Sequence, residues 1–193
     1  GCAELVADAY WRSFFRDPAD GPRLASARAG NVIGGGDWGE DRLIPDVVRA
    51  SAAGETVMVR NPRAVRPWQH VLNPLSGYLM LAQRLWEEPN DSLGWNFGPP
   101  EQDALEVAEV LERLEQAWPG GFGWEVDEGA HPHEATLLLL DSAKARGQLG
   151  WSPGWDLSRG LQATAEWYGS WLSGDDVREL TAGQIRDFPG SGA

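Results

Sequence analysis

Three consecutive stretches, RLASARAG, GNVIGGGDWGEDR and LIPDVVRASAAG, fill residues 23 to 54 and constrain this chain more than anything else in it. The first reads as a short strand of a buried sheet, the second as a glycine-rich loop, and the third as an amphipathic helix ended by Gly54. A strand that hands over through a loop to a helix is the unit from which α/β and α+β folds are built. The rest of the chain repeats that style. TVMVR reads as a strand, NPRAVRPWQ as a loop, VLNPLSGYLMLAQRLWEE as a long helix and WNFG as a brief strand. Asp103 is expected to cap a helix running to about Trp118, and WEVD to form another strand. SAKARGQLG reads as a short helix closed by Gly150, after which Asp156 caps the helix LSRGLQATAEWYGSWL. No repeat, low-complexity segment or linker divides the chain.

The first residues, GCAELVADAYWRSFF, read as a helix already under way. Cys2, Leu5, Val6, Ala9 and Ser13 fall on one stripe with no capping residue ahead of them, so the chain is expected to lack its natural start. Turn residues follow from Asp17 to Pro22. At 193 residues the chain suffices for one well-packed domain or a large piece of a bigger one. No apolar run approaches the roughly 20 residues of a membrane span, which predicts a soluble protein without a membrane partner. A net charge of -13 would repel nucleic acid and anionic lipid alike. Cys2 is the single cysteine, so no internal disulfide can form and a reducing, cytoplasmic compartment is expected. As a residue on a helix face it reads as packing rather than as a nucleophile.

Gly34, Gly36 and Gly39 spell G-x-G-x-x-G, the dinucleotide fingerprint, but the context is wrong. The fingerprint needs its glycines directly after a strand, and here Gly34 comes four positions after Gly30 at the expected strand end. Asp37, Glu40 and Asp41 crowd the loop, where carboxylates would repel a pyrophosphate. In a chain with 24 glycines such a match is cheap. A phosphate-binding P-loop fails as well, since no Gly-Lys-Ser/Thr follows. Two readings remain open: a surface loop, or one wall of a substrate site. For the second, Asn31 stands at the carboxyl end of a strand, where ligands of open α/β sheets bind, and its amide both donates and accepts. Arg42 precedes a helix beginning Leu43, Ile44, Pro45, offering a cation and a helix amino end to an anion. In RAVRPWQH, Arg66 is a bidentate phosphate donor beside Trp68, Gln69 and His70.

His131-Pro132-His133-Glu134 invites a metal reading, but a structural zinc site needs four ligands and only His70 remains as a further imidazole. No metal is therefore expected. Contact with substrate and loop hydrogen bonding both remain open for His131 and His133; for His70 a buried structural role and substrate contact are equally open. Most of the eleven tryptophans read as packing, such as Trp167 and Trp171 one turn apart, and Trp68 is the one placed near ligand.

These residues also carry a family resemblance. ARAGNVIGGGDWGEDRLIPD, VRPWQHVLNPLSGYLMLA, WNFGP, GAHPHEA, LDSAKARGQLGW and TAEWY together run over nearly the whole chain, and they resemble the carboxyl-terminal part of extended short-chain dehydrogenases/reductases of the NAD-dependent epimerase/dehydratase type. VRPWQHV and AHPHEA favour the branch that acts on CDP-glucose over the dTDP- and UDP-sugar branches. The resemblance implies an α/β, Rossmann-type fold with a small α/β substrate-binding lobe. Residues 1–30 would close the Rossmann-like part, 31–193 would be mainly nucleotide-sugar-binding, and 71–100 would return to the Rossmann-like sheet. It also implies that the glycine fingerprint and the catalytic Tyr-x-x-x-Lys lie upstream of Gly1, leaving no catalytic residue here.

The implied reaction is 4,6-dehydration of the hexose with NAD as cofactor. Asn31 would contact the diphosphate or sugar near the nicotinamide, and Arg42, Leu43 and Pro45 would border the nucleoside. Arg66, with Trp68 beside it, would pair with the diphosphate, and His70, Asn96, His131 and His133 would close the site. The complete enzyme is expected to be a homodimer or higher homo-oligomer. A stand-alone binding domain that kept the pocket without chemistry, or a piece of a UDP- or dTDP-sugar enzyme, is the alternative.

Overall fold

The computed structural model describes residues 1–16, 21–88, 94–131 and 134–189. Its strands are β1 (Ser26–Ala29), β2 (Asn31–Ile33), β3 (Val57–Val59), β4 (Val65–His70), β5 (Gly94–Phe97), β6 (Ala104–Glu106) and β7 (Trp124–Val126). Its α-helices are α1 (Cys2–Tyr10), α2 (Leu43–Ala53), α3 (Leu72–Glu87), α4 (Val107–Ala117), α5 (Leu157–Leu172) and α6 (Val177–Asp187). The sequence reading has no counterpart of α6. Among the described residues no helix is long and apolar enough to cross a membrane.

The strands form three small sheets. β1 pairs in parallel with β5, β4 lies between a parallel β2 and an antiparallel β6, and β3 pairs in parallel with β7. The chain passes from the first sheet to the second at Gly30, between Ala29 and Asn31. A Cβ there would meet the Pro67 carbonyl oxygen at 2.6 Å, so only glycine lets the two backbones cross so closely.

Val65–His70 is a central strand, where the sequence suggested a loop. Pro67 obscured it, because proline has no N–H to give a ladder. It occupies the seam between partners: it is the last residue paired with β6, opposite Ala104, and the β2 pairing begins at Trp68 opposite Asn31. The helix expected to start at Asp103 begins instead at Val107, after a turn at Glu101–Asp103 and β6. Asp103 accepts from the Leu157 backbone N–H at the start of α5, and burial pushes its carboxyl up. That tertiary partner outcompetes the local cap.

The main core gathers buried residues from α2 (Val47, Val48), β3 (Val57, Val59), α4 (Val110, Leu111, Leu114) and α5 (Leu161, Ala165, Tyr168). A second cluster, Leu81, Trp95, Phe97, Ala145 and Trp151, seals α3 against β5. Capping follows the sequence at three helix ends. Asp156 accepts from the Arg159 N–H at 2.8 Å, and Gly54 and Gly150 close their helices in the left-handed conformation. The apolar stripe of α1 is uncovered, with Leu5 73% and Val6 57% exposed and Cys2 exposed too. The helix is held through Glu4, whose carboxylate takes two bonds from Arg28 of β1, at 2.7 and 2.8 Å.

The glycine loop packs hard on α5. A Cβ on Gly35 would fall 2.1 Å from Cδ2 of Trp167, well inside van der Waals contact. Gly35→Ala should therefore destabilise the chain by about 1–3 kcal/mol, the usual cost of overpacking. Urea unfolding checks this, and Trp167→Leu in the same background should recover part of the loss; an unchanged midpoint for the single variant would contradict the packing.

Candidate functional site

A cleft of about 670 Å³ opens where β1 hands over to β2, beside the start of α2 and the end of β3. Asn31, Arg42, Leu43, Pro45, Arg66 and Trp68 all line it, together with Asp37, Asp41, Met58, Arg60, Asn61 and Glu134. Each wall follows from local structure. Arg42 is the N-cap of α2, its carbonyl accepting from the Asp46 N–H at 2.9 Å. Asn31, at the edge of the cleft, has an amide with no hydrogen-bond partner among the described residues. Alternation along β4 sends Arg66 and Trp68 to the same face. Trp68 is nearly buried and its indole N–H donates to the Leu105 carbonyl at 3.2 Å, which fixes it as a wall.

The glycine loop is a fixed wall and does not hang free at the surface. The Tyr168 hydroxyl of α5 takes the Asp37 N–H at 3.0 Å and donates to the Asp37 carbonyl at 2.8 Å. Burial pushes that phenol up to about 12, so it stays protonated and able to donate. Trp38 settles on the same helix, its ring 5.5 Å from Tyr168 and 4.5 Å from Trp171.

Three guanidinium groups face the cleft, each already holding a carboxylate. Arg42 pairs with Asp37 at 3.1 Å, Arg60 with Asp41 at 2.8 Å and Arg66 with Glu134 at 3.3 Å. Exposed pairs of this kind are worth about 0–1 kcal/mol, whereas hydrogen bonds to a charged group contribute about 1.5–3 kcal/mol. An anion with several oxygens can therefore displace these carboxylates at small cost. Arg66 is the most enclosed of the three, its side chain 13% exposed against 51% for Glu134. The sequence reading missed Arg60, Met58 and Asn61. Val57 and Val59 are buried and Met58 and Arg60 exposed, but that alternation is too short to mark the open face in the sequence, and Asn61 lies beyond it.

The remaining candidates lie elsewhere. His70 is 2% exposed and outside the cleft lining, its ring 4.8 Å from that of Trp155. Its Nδ1 accepts from the Leu72 N–H at 3.4 Å, while Nε2 has no partner. Asn96, on β5, donates to the Asp141 carbonyl at 2.9 Å and accepts from Arg28 at 3.2 Å, outside the lining. His131 also stands apart, with Nε2 3.1 Å from an Asp127 carboxylate oxygen. His133 lies outside the described residues.

The fold is the Rossmann-type α/β fold of solved epimerases and dehydratases. Over 97% of its length the chain is 48% identical to the CDP-glucose 4,6-dehydratase of Salmonella typhimurium, and it spans about half of that relative, 54%. Solved structures share the fold at lower identity. UDP-glucuronic acid 4-epimerase from Bacillus cereus superposes with a TM-score of 0.70 at 16% identity, over 87% of this chain and 50% of that one. The dTDP-glucose 4,6-dehydratase from Bacillus anthracis gives 0.65 at 19% identity, over 86% and 49%. No family profile matches the chain.

Burial lowers the His70 imidazole from 6.5 to about 4, with the Arg159 charge adding to the effect. Between these two values the unfolded chain binds a proton that the folded one does not, so stability falls as the pH drops from about 6.5 towards 4. The loss should approach about 3 kcal/mol at its largest. Denaturant titrations at pH 7.5 and 5 check this: His70→Gln should flatten the pH dependence, and an equal slope in both proteins would contradict it.

Proposed function

We propose that this chain is the part of an NAD-dependent CDP-glucose 4,6-dehydratase that holds the nucleotide sugar. The parent enzyme would convert CDP-glucose to CDP-4-keto-6-deoxyglucose and water. One observation carries the reading: Asn31, Arg42 and Arg66, drawn from three separate segments, converge on one cleft. Arg66, on a rigid central strand, would take the diphosphate in place of Glu134, gaining a fork of charge-assisted bonds. Arg42 would support it from the amino end of α2, and Leu43 and Pro45 would offer apolar edges to the nucleoside. Trp68 would form the floor. The unpartnered amide of Asn31 would meet the diphosphate or the sugar. His70, Asn96 and His131 lie outside the lining and carry no role in this proposal.

In an enzyme of this type NAD would supply reversible hydride transfer with the hexose. The described residues of this chain offer no cradle for it, because the glycine loop is packed on Trp167 and Tyr168 and sets its own Asp37 and Asp41 carboxylates in the cleft lining. Asn31 is the one residue here assigned towards the cofactor. No acid or base for the elimination is assigned to this chain, which would bind without turning over. In the complete enzyme the uncovered face of α1, with Leu5 and Val6, would join a second subunit.

Calorimetric titration with CDP-glucose tests the reading. The chain should bind it, with no product formed, and Arg66→Ala should lose about 1.5–3 kcal/mol, or about ten- to hundredfold in Kd. An equal, weak response to every nucleotide, from a sample shown to be folded, would overturn the assignment.

A further inference from the structure

The far end of the cleft has a chemistry of its own. β3 is pinned at both ends, the Val57 N–H donating to the Gly123 carbonyl and the Val59 carbonyl accepting from the Asp127 N–H, each at 2.9 Å. Val57 and Val59 are buried, at 2% and 4%, so strand alternation turns Met58 and Arg60 together to the open face. Met58 is 54% exposed there, an adaptable apolar surface of the kind that accepts a flat ring. Arg60 Nη2 meets Asp41 Oδ1 at 2.8 Å, and no other hydrogen bond engages its guanidinium among the described residues. Asp41 is also the one non-glycine residue with positive φ among those described, at 57°. That left-handed backbone, tolerated by aspartate, is held at the edge of the cleft immediately ahead of α2.

We infer that the Arg60–Asp41 pair reads the base edge of a cytosine and so selects CDP-linked over UDP-linked sugars. The inference rests on the proposed function and gives that cleft its base preference. Cytosine presents two neighbouring acceptors, O2 and N3, followed by a donor, the N4 amino group. A guanidinium fork beside a carboxylate presents two donors followed by an acceptor, and Nη2 can serve N3 with one hydrogen while keeping Asp41 with the other. Uracil and thymine keep O2 but carry N3–H and O4. There an N–H would face an N–H and a carboxylate would face a carbonyl. Two mismatched polar contacts are what produce discrimination, with Arg60, 37% exposed, the more enclosed partner of the pair. The diphosphate, common to both nucleotides, would be left to Arg66 and Arg42.

The test compares dissociation constants for CDP, UDP and ADP on the 193-residue chain and its variants. The chain should prefer CDP over UDP by about ten- to hundredfold. Arg60→Gln offers one donor and one acceptor, the complement of uracil's O2 and N3–H, and should bring the CDP to UDP ratio to one or below. Arg60→Lys keeps the charge without the fork and should lower the same ratio; it also serves as the second variant if the glutamine form does not fold. Asp41→Asn, which tolerates the same backbone, should lower the ratio too. Equal binding of CDP and UDP by the unaltered chain, or an unchanged ratio in the folded Arg60 variants, would overturn the base-reading role while leaving the cleft assignment intact. If CDP and UDP bind no better than ADP, the proposed function fails and this inference fails with it.

Discussion

Everything near the cleft depends on the position of β4 between two strands of opposite sense. Its first half pairs with β6 and its second half with β2, so its backbone is committed on both edges. Arg66 and Trp68 consequently emerge from a strand that cannot shift without breaking two ladders. The same alternation buries Gln69, whose amide donates to the Phe97 carbonyl at 2.6 Å and ties this sheet to β5. A guanidinium presented this way loses little freedom on meeting an anion, and preorganisation of that kind favours binding more than added contact area does.

The second constraint is the handover at Gly30. By crossing from the β1 sheet to the β2 sheet within one residue, the chain creates a notch at the carboxyl end of β1, where open α/β folds bind their ligands. The glycine loop then closes that notch from above, anchored through Gly35 against Trp167 and through Asp37 on Tyr168. Glycine content here serves close packing of backbone on an aromatic helix face. The acidic residues that argue against a pyrophosphate cradle, Asp37 and Asp41, turn out to be the counter-charges of Arg42 and Arg60.

Much of this was legible in the sequence, and the exceptions have physical causes. The run from RLASARAG through LIPDVVRASAAG predicts β1, the glycine loop and α2, because glycine and helix periodicity are local signals; Asn31–Ile33, read there as the start of the loop, is β2, a strand too short to show a period. The cleft members Asn31, Arg42, Leu43, Pro45, Arg66 and Trp68 could be named from their places in that run and in VRPWQH. β4 itself was hidden, because Pro67 reads as a loop residue unless the partner change at that position is known. Asp103 misled for a related reason: a capping residue can satisfy a distant helix, and its bond to the Leu157 N–H is tertiary. His70 is adjacent in sequence to cleft residues, yet it points into the packing against Trp155. Arg60 went unremarked because the end of a three-residue strand carries too little pattern to show which face is open.

Hydrogen–deuterium exchange with and without CDP-glucose tests the central claim most directly, since it reports on every backbone segment at once. If the cleft is the nucleotide-sugar site, protection should rise in residues 30–46, 57–61 and 64–68, and stay level in α1, α3 and α6. Protection confined to other segments, under conditions where the ligand is bound, would contradict the account.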